Sequence, residues 1–134
     1  PALVGYFTLA IKPISVKAKN FSNTMKRKIA RVSELDEING TYTLSAYLIA
    51  QLGKNFRDGL NERISGEQLL QAAVDTIKEL QYMAGGMVVF LEAEEEEKLI
   101  HFYQEKNGFK RFDTKEVKGR TEDAHMLVQL LKIL

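Results

Sequence analysis

The sequence predicts an α+β domain, a mixed α/β arrangement in which helices flank a central sheet. Three features carry that expectation. Apolar runs of strand length alternate with segments of helical period. Residues 87–91 (MVVFL) are continuously apolar, as a central strand covered on both faces must be. Ser65 and Gln68 stand at capping-box spacing ahead of a long amphipathic segment. A single domain of 134 residues is long enough to bury such a core.

Residues 3–11 (LVGYFTLAI) are aliphatic, aromatic and β-branched with Pro13 close behind, and read as a buried or edge strand. A polar, basic insertion follows. Within it, residues 21–35 space Met25, Ile29 and Val32 four and three apart behind Ser22, which predicts a short amphipathic helix capped by that serine. Asn39-Gly40 marks a turn. Residues 41–52 (TYTLSAYLIAQL) alternate as one strand, with Tyr42, Leu44, Ala46, Leu48 and Ala50 on one face. The polar loop KNFRDGLNER then leads to the long helix, whose stripe is Leu69, Leu70, Ala73, Val74, Ile77 and Leu80. Gly85-Gly86 ends the connection to MVVFL, so residues 41–91 predict a right-handed crossover between parallel strands. A second helix, residues 94–106, gathers acids in its first turn, where the helix dipole favours them. Asn107-Gly108 closes it with a left-handed cap. Residues 109–113 and 126–130 alternate as two final strands across a polar loop.

Composition narrows the chemistry. The chain has no cysteine, which excludes a disulfide framework, a thiol nucleophile and a zinc–thiolate site. Two isolated histidines, His101 and His125, make no metal-ligand cluster. No apolar run approaches the ~20 residues of a membrane span, and the first residues lack a signal pattern; the expected location is the cytoplasm. The formal net charge of +1 hides an asymmetry. Residues 1–31 hold Lys12, Lys17, Lys19, Lys26, Arg27, Lys28 and Arg31 without an acid, a charge of +7, and the remainder carries −6. Such segregation permits a polyanionic partner at the basic end.

Two segments resemble the GNAT superfamily of N-acetyltransferases. LIAQLGKN followed by NERISGEQLL is similar to the family's central cofactor strand and its pyrophosphate loop, Arg/Gln-x-x-Gly-x-Gly/Ala. FYQEKNGF is similar to its signature of Tyr, a few residues, then Gly-Phe. The order of elements agrees from residue 3 to the C-terminus. The resemblance implies the GNAT fold, a mixed and mostly antiparallel sheet whose two parallel central strands splay apart, flanked by helices. It implies one acetyltransferase domain over residues 1–134, truncated at its N-terminus by the strand, two helices and strand that usually come first. A CoA-binding fragment or interaction module is the non-enzymatic alternative. The co-substrate implied is acetyl-CoA, with no metal. The implied acceptor is an amine on a small molecule, a protein or an aminoacyl-tRNA; no membrane partner is implied, and a homodimer is admitted.

The same resemblance assigns residues. Leu52, Gly53 and Lys54 match the backbone with which pantetheine pairs as a pseudo-strand. Asn61, Arg63, Ile64, Ser65, Gly66 and Glu67 match the diphosphate loop, where a helix N-terminus supplies aligned N–H groups and its dipole. Gly66 stands at the family's last glycine; Asn61 replaces the usual Arg or Gln, and Ile64 the first glycine. Tyr103 matches the family's tyrosine, whose phenol protonates the departing thiolate as general acid. Four residues separate Tyr103 from Gly108 where three are usual. Each helical residue turns the chain by about 100°, so a bulge or later cap has to absorb the extra one.

Glu92 reads as a solvated acid or as a base acting through water. His101, two residues from Tyr103, reads as a surface histidine facing elsewhere, and His125 has no visible partner. Finally, GYFTLAI, LIAQLGKN and FYQEKNGF resemble small bacterial members grouped with tRNA-acetylating toxins, in which a basic surface holds the tRNA backbone. Residues 12–31 are then either that surface or a solvated insertion.

Overall fold

The computed structural model describes residues 2–117 and 125–134, His125 by its backbone alone. In chain order the elements are β1 (Gly5–Ile11), β2 (Ile14–Lys17), α1 (Asn23–Ala30), β3 (Thr41–Leu44), β4 (Ala46–Lys54), α2 (Gly66–Ala84), β5 (Val88–Glu94), α3 (Glu97–His101), β6 (Lys110–Val117) and β7 (His125–Ile133). Five strands form one sheet in the order β1-β4-β5-β7-β6. Only the central pair, β4 and β5, is parallel; the others are antiparallel. The side chain of His125 and most of the predicted loop before it lie outside the described residues.

Alternation along β5 divides the core into two layers, because successive strand residues point to opposite faces. Val89, Leu91 and Ala93 pack with Leu70, Ala73, Val74 and Ile77 of α2. Val88 and Phe90 pack with Val16 of β2, Met25 and Ile29 of α1, and Tyr42 and Leu44 of β3. The buried stripe of α2 is the one its period predicts, and its capping box forms: the Ser65 hydroxyl accepts from the Gln68 N–H at 3.1 Å, and the Ser65 N–H donates to the Gln68 side chain at 2.9 Å.

Three expectations need correction. Residues 41–52 are not one strand. β3 pairs with β2 in a separate two-stranded ribbon, and the chain changes sheets at Ser45, whose carbonyl accepts from the Met87 N–H at 2.9 Å. The supposed insertion therefore contains a strand, Ile14–Lys17. The basic helix is capped by Ser22 as predicted but ends at Ala30, leaving Val32 68% exposed and off the stripe. The second helix starts at Glu97, because Glu94 still belongs to β5.

The turn into β5 depends on glycine. Gly86 has φ +118, and a Cβ there would lie 2.5 Å from Cε2 of Tyr47. Tyr47 is buried, and its hydroxyl donates to the Gly85 carbonyl at 2.6 Å, so the ring cannot retreat cheaply. Gly86→Ala is expected to destabilise the fold by about 1–3 kcal/mol through overpacking and backbone strain. The measurement is a urea titration, with a lower midpoint at an unchanged slope.

Candidate functional site

The parallel ladder between β4 and β5 is short. It joins Ala46 to Val88, Tyr47 to Val89 and Leu48 to Phe90, and then stops. Beyond it, residues 49–54 pair only with β1, and residues 91–94 only with β7. The cause is local. Thr8 pairs with Gln51 but Leu9 with Ile49, which leaves Ala50 as an extra residue in β4. A bulge of this kind bends its strand and increases the local twist, and it falls two residues past the last rung. The two strands diverge there, with backbone groups on their facing edges that lack a partner on the other strand among the described residues.

Leu52, Gly53 and Lys54 lie on this length of β4. Their backbone was expected to matter more than their side chains. Gly53 is the exception: a Cβ there would stand 2.7 Å from the Tyr6 ring and hydroxyl of β1. The requirement comes from packing across the β1–β4 pair.

From Lys54 the chain passes through two short 3-10 turns, Arg57–Arg63, kinked at Asp58 (φ 54) and Gly59 (φ 72). This brings Asn61, Arg63, Ile64 and Ser65 to the head of α2, with Asn61 and Ile64 half-buried and Arg63, Ser65 and Glu67 exposed. The capping box spends the N–H groups of Ser65 and Gln68. The Leu69 N–H begins the helical ladder on the Ser65 carbonyl. The first-turn donors left to meet an anion are the N–H groups of Gly66 and Glu67. Gly66 also faces the Phe102 ring, whose nearest atoms would lie 3.3 and 3.4 Å from a Cβ at that position.

Phe102 begins a π-helical turn, Phe102–Lys106, which continues α3. This wider turn overlaps the stretch between Tyr103 and Gly108. It closes when the Phe109 N–H donates to the Tyr103 carbonyl at 3.0 Å. Tyr103 is 9% exposed, with Phe102 and Phe109 edge-on to its ring at centroid distances of 5.2 and 5.8 Å. It belongs to the same packed cluster as Ile49 and Leu91, the residues at the mouth of the divergence. Burial pushes its phenol above the ordinary value near 10, which keeps it protonated at neutral pH. Among the described residues its hydroxyl makes no hydrogen bond, and no buried side-chain oxygen is left unpartnered. The phenol oxygen therefore opens onto accessible space.

The neighbour of Tyr103 in sequence, Phe102, lines an open cavity of about 600 Å³ together with Glu97, Lys98, His101 and Lys106. Through Phe102 it adjoins the head of α2. His101 is exposed, as read from the sequence, yet it stands on this wall with two lysines. Sequence reasoning missed Lys98, Phe102 and Lys106, although their spacing of four and four was a readable sign of one helix face.

Glu92 is not brought to this side. It lies on the Val88–Phe90 face of β5, its carboxylate accepting from Gln129 at 3.0 Å and 3.6 Å from the Lys115 ammonium. Its side chain is 18% exposed, so it is a half-buried, paired acid and not a solvated one. The basic residues of α1 lie on that same far face, with Arg27, Lys28 and Arg31 exposed. Among the described residues no group of three or more His, Cys, Asp or Glu side chains is gathered to hold a metal, and no helix is long and apolar enough to cross a membrane.

A mixed sheet, a central parallel pair that diverges after three rungs, one capped helix between those strands and a second after them constitute the GNAT fold. No family model and no curated protein matches the chain. The likeness is to solved structures. The AtaT toxin complexed with acetyl-methionyl-tRNAfMet superposes with a TM-score of 0.57 at 19% identity, over 92% of this chain and 61% of that one. A tyrosine-to-phenylalanine mutant of the AtaT toxin gives a TM-score of 0.53 at 17% identity, over 93% and 58%. The chain thus spans about three-fifths of the length of these toxin structures.

Proposed function

We propose that this chain is the cofactor-binding core of an N-acetyltransferase that moves an acetyl group from acetyl-CoA to an amine. The observation that carries the proposal is the divergence of β4 and β5 beside a helix N-terminus with two unspent N–H groups. Pantetheine pairs in the gap as a pseudo-strand along Leu52, Gly53 and Lys54. The diphosphate takes the Gly66 and Glu67 N–H groups, with Asn61, Arg63, Ile64 and Ser65 forming the loop around it. The amine attacks the thioester carbonyl, the carbon–sulfur bond breaks, Tyr103 gives its proton to the departing thiolate, and the proton lost by the amine nitrogen passes through water to restore the phenol. A calorimetric titration with acetyl-CoA tests the common premise: saturable binding is expected, and its absence from the folded protein would remove the proposal.

A second reading concerns the acceptor. The exposed cations of α1 and the likeness to a toxin structure that holds acetyl-methionyl-tRNAfMet both favour the amine of an aminoacyl-tRNA. Replacing Lys26, Arg27, Lys28 and Arg31 together with Gln is then expected to weaken tRNA binding. The slope of log K against log salt should become shallower by up to about 3, since fewer counterions are released. Anisotropy titrations with aminoacyl-tRNA at two salt concentrations measure both, and a parent protein that ignores tRNA at low salt leaves a small-molecule or protein acceptor.

A further inference from the structure

We propose that the cleft between α1 and the β6–β7 end of the sheet is a phosphate-binding site, separate from the cofactor gap. Three lysines far apart in sequence meet there. Lys28 of α1, Lys110 at the start of β6 and Lys132 near the end of β7 line a cavity of about 250 Å³, with no carboxylate in its wall. None of the three forms an ion pair among the described residues. Three like charges around one small cavity repel each other, and an anion between them turns that repulsion into attraction.

The site has a fixed element as well as mobile ones. The Lys132 ammonium donates to the Asn107 carbonyl at 3.1 Å and lies 5.9 Å from the centre of the Phe109 ring. One of its three donors is spent in this way, and two remain for a ligand. Gly108, beside it with φ +72, carries no side chain to screen the ammonium; a Cβ there would stand 3.9 Å from the lysine Cε and 4.0 Å from its Nζ. Lys28 and Lys110 are exposed and free to close on an oxygen from either side. The chemistry recognised is a phosphate group, either on a nucleic-acid backbone or free in solution. The site does not depend on the cofactor reading, because none of its residues belongs to the cofactor gap; Lys28 alone is shared with the tRNA reading.

The test uses two probes, a labelled single-stranded 12-nucleotide RNA and inorganic phosphate. It compares two variants that lose equal charge. Lys28→Gln with Lys110→Gln strips the cleft; Arg57→Gln with Lys78→Gln removes two exposed cations away from it. Binding of either probe is expected to weaken about tenfold in the cleft variant and less than about threefold in the other. An RNA response identifies a backbone phosphate as the ligand, and a response to inorganic phosphate alone identifies a free anion. Lys132→Met, which keeps the aliphatic stem on Phe109, is expected to repeat the loss. Equal weakening in both double variants, or no binding of either probe at low salt, overturns the site. Acetyl-CoA affinity is expected to be unchanged in the cleft variant, so failure here leaves the cofactor proposal standing.

Discussion

Tyr103→Phe is expected to lower turnover by ~10²–10⁴-fold while leaving acetyl-CoA affinity unchanged. The substitution keeps the ring, so the edge contacts to Phe102 and Phe109 persist and the thermal midpoint should not move. What it removes is a phenol proton not spent on a hydrogen bond among the described residues, unlike that of Tyr47 in the same cluster, which goes to the Gly85 carbonyl. A phenol suits this role because burial raises its pKa, so it carries its proton throughout the physiological range. The sign follows: the acid is competent below its pKa and lost above it, so the alkaline decline of kcat assigned to Tyr103 should lie above pH 10 and vanish in the variant. The measurements are kcat across pH and a calorimetric Kd for both proteins. Normal turnover in Tyr103→Phe would make the residue a core aromatic and nothing more.

The elements legible in the sequence are those whose signals are local. The stripe of α2 and its Ser65–Gln68 box lie within a few residues of each other and form as written. The spacing of Tyr103 and Gly108 left a bulge or a later cap open, and the structure has a π-helical turn there. Features set by distant partners were not legible. Residues 41–52 alternate without interruption, and only the Ser45 carbonyl bonded to Met87 reveals that two sheets share the run. Ala50 is an ordinary strand residue until the β1 register exposes it as a bulge near the end of the parallel ladder. The contact of Phe102 with Gly66 joins residues 36 positions apart, and the Lys28, Lys110 and Lys132 cleft spans most of the chain. Glu92 looked solvated within a run of acids because nothing nearby in sequence points to Lys115 or Gln129.

Gly66→Glu is expected to raise the Kd for acetyl-CoA by on the order of 10²-fold, which corresponds to about 2.7 kcal/mol. Two effects combine. The new carboxylate stands at the head of α2 beside the only two first-turn N–H groups the capping box leaves open, where it repels a diphosphate and competes for the same donors. Its Cβ also presses on the Phe102 ring at 3.3 Å, which has to shift by a few tenths of an ångström. Fold stability should survive, because an acid in the first turn suits the helix dipole and Gly66 has no positive φ to violate. Gly66→Ala separates the two effects: it applies the same pressure on Phe102 without the charge, and a change of only a few-fold would show that electrostatics dominates. If a folded Gly66→Glu protein binds acetyl-CoA as tightly as the parent, the diphosphate does not sit at this helix, and Gly66 serves only the packing of Phe102.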